Sequence, residues 1–278
     1  MMLNLRDNQG SAAANIFVTL PDLPDAIHQK VLSHLLHLND IRSVCLAACA
    51  CTGLRRAAFA SLALSTRMSP PVRNGKAALV ALLPRLHNLT ELDLSNRFRD
   101  VDDEVLAAMV GMSTLTSLSL RSCEQVTMSG LAALGGGRLL NLRVLSLHSL
   151  RGIIDLAPLT TMPSLRDLDL SWCICLQPRM MPNLHRLHRL LLRGCEQVDD
   201  SVCTALCEGP EPQLQELDMA YTRLSDVGLR TLAVRCPVLR TLGLAQNKDN
   251  LWTTGNWTEA GLCEFTRLRP DVRLVAIC

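Results

Sequence analysis

Twelve cysteines and seven histidines are the residues best equipped for chemistry in this chain. Cys49-x-Cys51, Cys173-x-Cys175, Cys203-x-x-x-Cys207 and His185-x-x-His188 near Cys195 supply thiolate and imidazole donors of the kind soft metal ions take. A structural zinc site draws its ligands from paired sets at matched spacing, and no such pairing occurs. Neither a metal nor a cofactor is expected. Gly75-Lys76 lacks the upstream glycine of a phosphate-binding loop, and Gly135-Gly-Gly137 reads as a helix stop before a strand. Nucleophile-elbow, zinc-protease and kinase signatures are missing from the sequence. The expectation is a protein that is not an enzyme.

The cysteines have another meaning, which their surroundings give. Leu115-Thr-Ser-Leu118-Ser-Leu120-Arg-Ser-Cys123-Glu-Gln-Val126 returns as Leu187-His-Arg-Leu190-Leu-Leu192-Arg-Gly-Cys195-Glu-Gln-Val198. The shared grammar L-x-x-L-x-L-x-x-C is that of a leucine-rich solenoid. Copies start at Leu89, Leu115, Leu142, Leu165, Leu187, Leu214 and Leu239, at spacings of 22 to 27 residues. A degenerate first copy is expected at Phe59-x-x-Leu62-x-Leu64, and a weak last one at Val272-x-x-Val275-x-Ile277. Cys123, Cys173 and Cys195 share one repeat position, which makes them small buried hydrophobes rather than ligands.

Each long copy should be a strand, a turn and a returning helix. Asp102, Thr127, Asp199, Ser225 and Thr258 stand just before apolar helical patterns, as N-caps do. Leu229, Leu232, Ala233 and Cys236 then fall on one helical face. The shorter returns Ile154-Asp-Leu-Ala-Pro158 and Leu176-Gln-Pro178 carry prolines and should form an extended turn or a single helical turn. One repeat cannot bury its own leucines, so the copies must stack into a continuous parallel sheet.

Composition agrees with such a core. Hydrophobic residues are 48% of the 278 but aromatics only 3%, so the interior is aliphatic. A net charge of +2 with 19% charged residues gives no pull towards nucleic acid or an anionic membrane. No apolar run reaches bilayer-spanning length, and residues 1–19 lack a signal-peptide core. The reading is an intracellular protein, cytoplasmic or nuclear, with reduced thiols.

The N-terminal part differs. Residues 1–17 read as a flexible tail. In 18–60, Ile27, Val31 and Leu35 form one helical face, and Asn39-Asp40 can cap a second helix bearing Ile41, Val44, Cys45 and Ala48. A third short helix is expected from about Thr52 to Phe59. Residues 61–88 form a linker with the degenerate first repeat, and 89–278 the solenoid.

Leu23-Pro24-Asp25, Val31-Leu32-Ser-His-Leu35, Asp40-Ile41, and Val44-Cys45 leading to Cys51-x-x-Leu54-Arg-Arg-Ala57 resemble the F-box. Leu54 stands where many members carry tryptophan. The cysteine position and Cys236-Pro237-Val-Leu239 resemble the cysteine-containing leucine-rich repeats of F-box proteins. The fold implied is a small all-α domain followed by an α/β solenoid: a curved parallel sheet with helices on its convex side. The function implied is substrate recognition in a Skp–cullin–F-box (SCF) ubiquitin ligase, towards proteasomal degradation. The Skp-type adaptor would sit on Leu23, Pro24, Ile27, Val31, Ile41 and Val44. The alternative is a ligase-independent interaction scaffold whose helices only cap the solenoid.

In L-x-x-L-x-L-x-x the leucines point inward, so the third, fifth and seventh positions face the concave side. Across the copies these carry Arg121, His148, Asp167/Asp169, Arg189/Arg193 and Glu216/Asp218. Arg189 should lie between Asp167 and Glu216 on strands about 4.8 Å apart. A cross-strand ion-pair ladder and a mixed-charge surface for a protein substrate both fit, and can coexist. Trp172 and Tyr221 follow their strands at one rim, as interface anchors or as packing. The loop Asn247–Trp257, with two tryptophans, suits partner contact or C-terminal capping.

Overall fold

A computed structural model describes Lys30 and residues 66–70, 75–136, 139–177, 185–207, 212–245 and 256–277. The expected tail, the F-box-like helices of 18–60 apart from Lys30, with all six adaptor-facing residues, and most of the tryptophan loop lie outside these residues. The chain divides after Leu62, and the description concerns the second unit, Ala63–Cys278.

Among the described residues, nine strands pair in parallel in chain order. They are β1 Arg67–Met68, β2 Glu91–Asp93, β3 Ser117–Ser119, β4 Val144–Ser146, β5 Asp167–Asp169, β6 Arg189–Leu191, β7 Glu216–Asp218, β8 Thr241–Ala245 and β9 Arg273–Ile277. One leucine row, Leu92–Leu118–Leu145–Leu168–Leu190–Leu217–Leu242–Leu274, runs across the sheet in register. From Leu92 to Leu242 every member is buried, while both strand neighbours of each are polar or more exposed through β7. Alternation at period two thus gives the sheet one buried and one open face.

One end copy corrects the expectation. The first described strand is Arg67–Met68, with Met68 opposite Leu92, while the expected copy at Phe59-x-x-Leu62-x-Leu64 lies outside the described residues. At the other end Leu274, not Val275, pairs with Leu242. A one-residue slip exchanges the two faces. The Val-x-x-Val-x-Ile spelling misleads because Leu274 continues the leucine row whereas Val272 is buried just before the strand.

Helices return the chain after the long copies: α1 Lys76–Leu82, α2 Asp103–Ala108, α3 Met128–Gly135, α4 Asp200–Leu206, α5 Asp226–Arg235 and α6 Glu259–Leu268. Asp102, Thr127, Asp199, Ser225 and Thr258 cap α2 to α6, each side chain accepting a backbone N–H from the first turn. Such a cap is worth about 1 kcal/mol. After β4 the proline-bearing return forms a single 3-10 turn, Ala157–Thr161. Prolines carry no N–H for an α-helical ladder, and the arc is too short for one.

The ninth position of successive repeats holds Arg97, Cys123, Leu150, Cys173, Cys195 and Thr222, and every one is buried. The three thiols each donate to the sixth-position carbonyl of the preceding repeat, at 3.1 Å: Cys123 to Leu94, Cys173 to Leu147, Cys195 to Leu170. Arg97 does the same with Pro70. Four of the six thus reach a buried carbonyl of the preceding repeat, whereas Leu150 fills the place with apolar bulk alone and Thr222 donates to Met219 of its own repeat at 2.7 Å. Cysteine combines a donor with apolar bulk. Burial pushes the Cys123 thiol up to about 11 and the Cys173 thiol up to about 12, so both stay protonated. At the ends of α4 and α5, Cys207 and Cys236 place their sulfurs 2.7 Å apart. Sequence spacing of 29 residues concealed that neighbour pair.

Candidate protein-interaction face

The open face of the sheet collects the charged residues. β5, β6 and β7 lie side by side with Asp167 opposite Arg189 and Arg189 opposite Glu216. Arg189 Nε meets Glu216 Oε2 at 3.0 Å, and Arg193 Nε lies 4.0 Å from Asp218 Oδ2. The two arginines are thus both directed at β7. Arg193 Nε is buried without a hydrogen-bond partner, so Asp218 answers its charge but not its donor. Burial pushes the Asp218 carboxyl up, against the Ala220 N–H at 2.9 Å and Arg193, which pull the other way.

The β5 carboxylates are placed differently. Asp169 accepts from the Ser171 N–H at 3.0 Å and the Ser146 hydroxyl at 3.2 Å, both uncharged donors. Asp167 is half-buried and makes no ion pair among the described residues. Arg121 is exposed, and the half-buried His148 accepts from or donates to the Ser149 hydroxyl through Nδ1 at 2.7 Å. Burial, with Arg121 assisting, pulls the His148 imidazole below its usual range, so it is neutral near pH 7. From Leu89 to Ala220 the open face then holds six carboxylates, Glu91, Asp93, Asp167, Asp169, Glu216 and Asp218, against Arg121, Arg189 and Arg193. β1 and β9 add Arg67, paired with Glu91 at 2.8 Å, and Arg273, so the described sheet face as a whole carries six carboxylates against five arginines.

Trp172 and Tyr221 come together at the rim. Their rings stack with centroids 6.3 Å apart at 27°, although one repeat separates them. Gly194, in that intervening repeat, makes the approach possible: a Cβ there would lie 2.6 Å from the indole Cε3. The equivalent turn position in every repeat from Asn96 to Tyr221 has positive φ, held by Asn96, Ser122, Ser149, Trp172, Gly194 and Tyr221. Glycine and asparagine suit that backbone, whereas bulky residues sit there at a cost of about 1–3 kcal/mol. Trp172 nevertheless remains 45% exposed. The recurrence of Asn, Ser and Gly two residues after the last strand leucine was the available signal for this turn; nothing in the spacing showed that the two aromatics would meet.

The expected recognition residues thus fall into three groups. Arg189, Arg193, Glu216 and Asp218 form one partnered patch; Asp167, Asp169, Trp172 and Tyr221 flank it; Arg121 and His148 stand on the neighbouring repeats. Among the described residues, no cluster of three or more His, Cys, Asp or Glu side chains could hold a metal ion, and no helix is long and apolar enough to cross a membrane.

This arrangement is a leucine-rich-repeat solenoid, an α/β fold on one parallel sheet. A Leucine Rich repeat family model matches residues 111–135, covering β3 and α3, and 212–233, covering β7 and most of α5. In an alignment 151 positions long that covers 44% of this chain, the sequence is 28% identical to Antagonist of mitotic exit network protein 1 of Saccharomyces cerevisiae. The chain spans only 27% of that relative's length. The fold is similar to that of internalin C2 from Listeria monocytogenes, with a TM-score of 0.50 and 18% identity over 79% of this chain and 84% of that one.

Proposed function

We propose that this chain is a non-catalytic substrate-receptor subunit of an SCF-type ubiquitin ligase, cytoplasmic or nuclear, with its open sheet face as the site for a protein target. The observation that carries the target-binding half is the row of charged side chains and the aromatic pair held on one side of a register-locked sheet. Rigid strands preorganise such groups, so little ordering entropy opposes binding. The ligase half rests on the likeness of residues 20–60 to the F-box. A relative named as an antagonist of the mitotic exit network is in keeping with a regulatory rather than a catalytic role. The mechanism would be one of effective concentration: adaptor at one end, target on the sheet, and the ubiquitin-carrying enzyme brought near both.

The alternative, a scaffold acting without a ligase, shares the sheet face and differs only at the N-terminus. Capture of a purified Skp-type adaptor by the full chain separates the two. Binding at micromolar concentration that is lost in Ile27→Asp and Val44→Asp supports the receptor. Absence of capture, or capture untouched by both substitutions, overturns the ligase reading or its proposed surface.

A further inference from the structure

The arginines of β6 and its turn are answered within the sheet: Arg189 by Glu216 and Arg193 by Asp218. Open-face carboxylates without an ion pair lie on β2, where Asp93 receives only the Ser95 donors, and on β5, the strand that leads to Trp172. Asp167 makes no ion pair among the described residues, and Asp169 receives only the uncharged donors of Ser146 and Ser171. Three residues beyond Asp169, Trp172 stands out from the rim, backed by the bare backbone of Gly194 and by the Tyr221 ring.

We infer that Trp172 and Tyr221, with Asp167 and Asp169 on the strand that leads to Trp172, receive arginine or lysine side chains from a basic, extended segment of a partner protein. This rests on the protein-binding reading above and names the chemistry of the target. An exposed indole attracts a cation over its face through the ring quadrupole, and a guanidinium also stacks there flat. Two carboxylates without a cation complete the recognition of the charge. An acidic segment fits poorly at β5, where it would meet Asp167 and Asp169 while the arginines of the adjoining repeat, Arg189 and Arg193, are already engaged by Glu216 and Asp218. The backbone speaks for the same use. Asn96, Ser122, Ser149 and Gly194 show what the left-handed turn accepts easily, yet β5 and β7 are followed by the two bulkiest choices, and these meet each other. A shelf held against conformational preference, with its outer ring exposed, is poor packing and good presentation.

The test uses the full chain without adaptor and fluorescence anisotropy of a fluorescein-labelled (Arg-Ser)4 peptide, with (Glu-Ser)4 as counterpart. The arginine peptide should bind and the glutamate peptide should not. Trp172→Asn, chosen because asparagine accepts the left-handed turn, should weaken binding about fivefold while melting close to the parent. Asp167→Asn combined with Asp169→Asn should weaken it and flatten its dependence on salt. Asp93→Asn, three strands away, should leave it unchanged. The inference is overturned if the arginine peptide does not bind, if both peptides bind alike, or if Trp172→Asn melts like the parent and binds as well. Adaptor capture is scored separately, so peptide failure with intact capture removes this inference alone, and the converse removes the ligase reading alone.

Discussion

The Asp226 carboxylate reaches into the next repeat and grips Thr258 twice, accepting its backbone N–H at 2.7 Å and its hydroxyl at 2.7 Å. Asp103 treats Thr127 the same way, and Asp200 treats Ser225 likewise. The first residue of one helix thus fastens the N-cap of the next. Three residues past each gripped cap stands a glycine, Gly130, Gly228 or Gly261, and an added Cβ at any of them would collide with that same aspartate. Caps whose preceding repeat sends no such aspartate, Asp102 and Asp199, are followed at that place by Val105 and Val202.

Gly261→Ala should therefore destabilise the solenoid by about 1–3 kcal/mol, as overpacking against a fixed group does. The double variant Asp226→Ala/Gly261→Ala should recover part of that loss because the obstacle is gone. Urea denaturation of the parent, both single variants and the double variant reads the coupling; strictly additive changes would show that the glycine is not there for the aspartate.

Acid should loosen the same joint. The Thr258 N–H, and after it the Thr258 hydroxyl, hold the Asp226 carboxyl below the usual carboxylate range. A depressed folded-state value contributes stability that is fully present above the unfolded pKa of about 3.9 and is lost as pH falls through the folded one. The urea midpoint of Asp226→Asn should consequently lie below the parent's at pH 7 and approach it near pH 3. An equal gap at both pH values would contradict this.

Thiol reactivity should divide the cysteines by place. Cys175 and Cys263 are exposed, whereas Cys123, Cys173 and Cys195 are buried as hydrogen-bond donors with their ionisation pushed up by burial. A disulfide reagent at pH 8, with the labelled sites mapped by mass spectrometry, should mark the first two promptly and the other three only on unfolding. Early labelling of Cys195 would show that the repeats part far more readily than their packing implies.

The open-face ion pair should matter little to stability. Arg189 and Glu216 are both substantially solvent-exposed, and pairs of that kind contribute about 0.2–1 kcal/mol. Arg189→Ala should shift the thermal midpoint by no more than a few degrees. A large loss would mean that the face is built for stability rather than for a partner.

Much of the solenoid was legible because its signals are local and periodic. Leucines at fixed spacing gave the strand row, and a hydroxyl or carboxylate before each apolar pattern gave the caps of α2 to α6. Periodicity passed over β1, where Met68 stands in the leucine row, and failed at the C-terminal end, where Val272 and Val275 imitate the motif one residue out of step. There the pairing is decided by the neighbouring strand, which the sequence of the end repeat does not contain.

The sequence by itself determined which residues face inward, because a period of two or of 3.6 with leucine at the marked places admits one buried face. It also placed Arg189 between Asp167 and Glu216, since equal copies stack in register. Only the tertiary structure decided which neighbour each charge takes, with Arg189 and Arg193 paired towards β7 and the β5 carboxylates left for other donors. The stacking of Trp172 on Tyr221 across Gly194, the meeting of Cys207 with Cys236, and the grip of each aspartate on the next cap were decided there too. These contacts join residues 24 to 49 positions apart. Their geometry depends on the offset between successive repeats, a quantity no single repeat encodes.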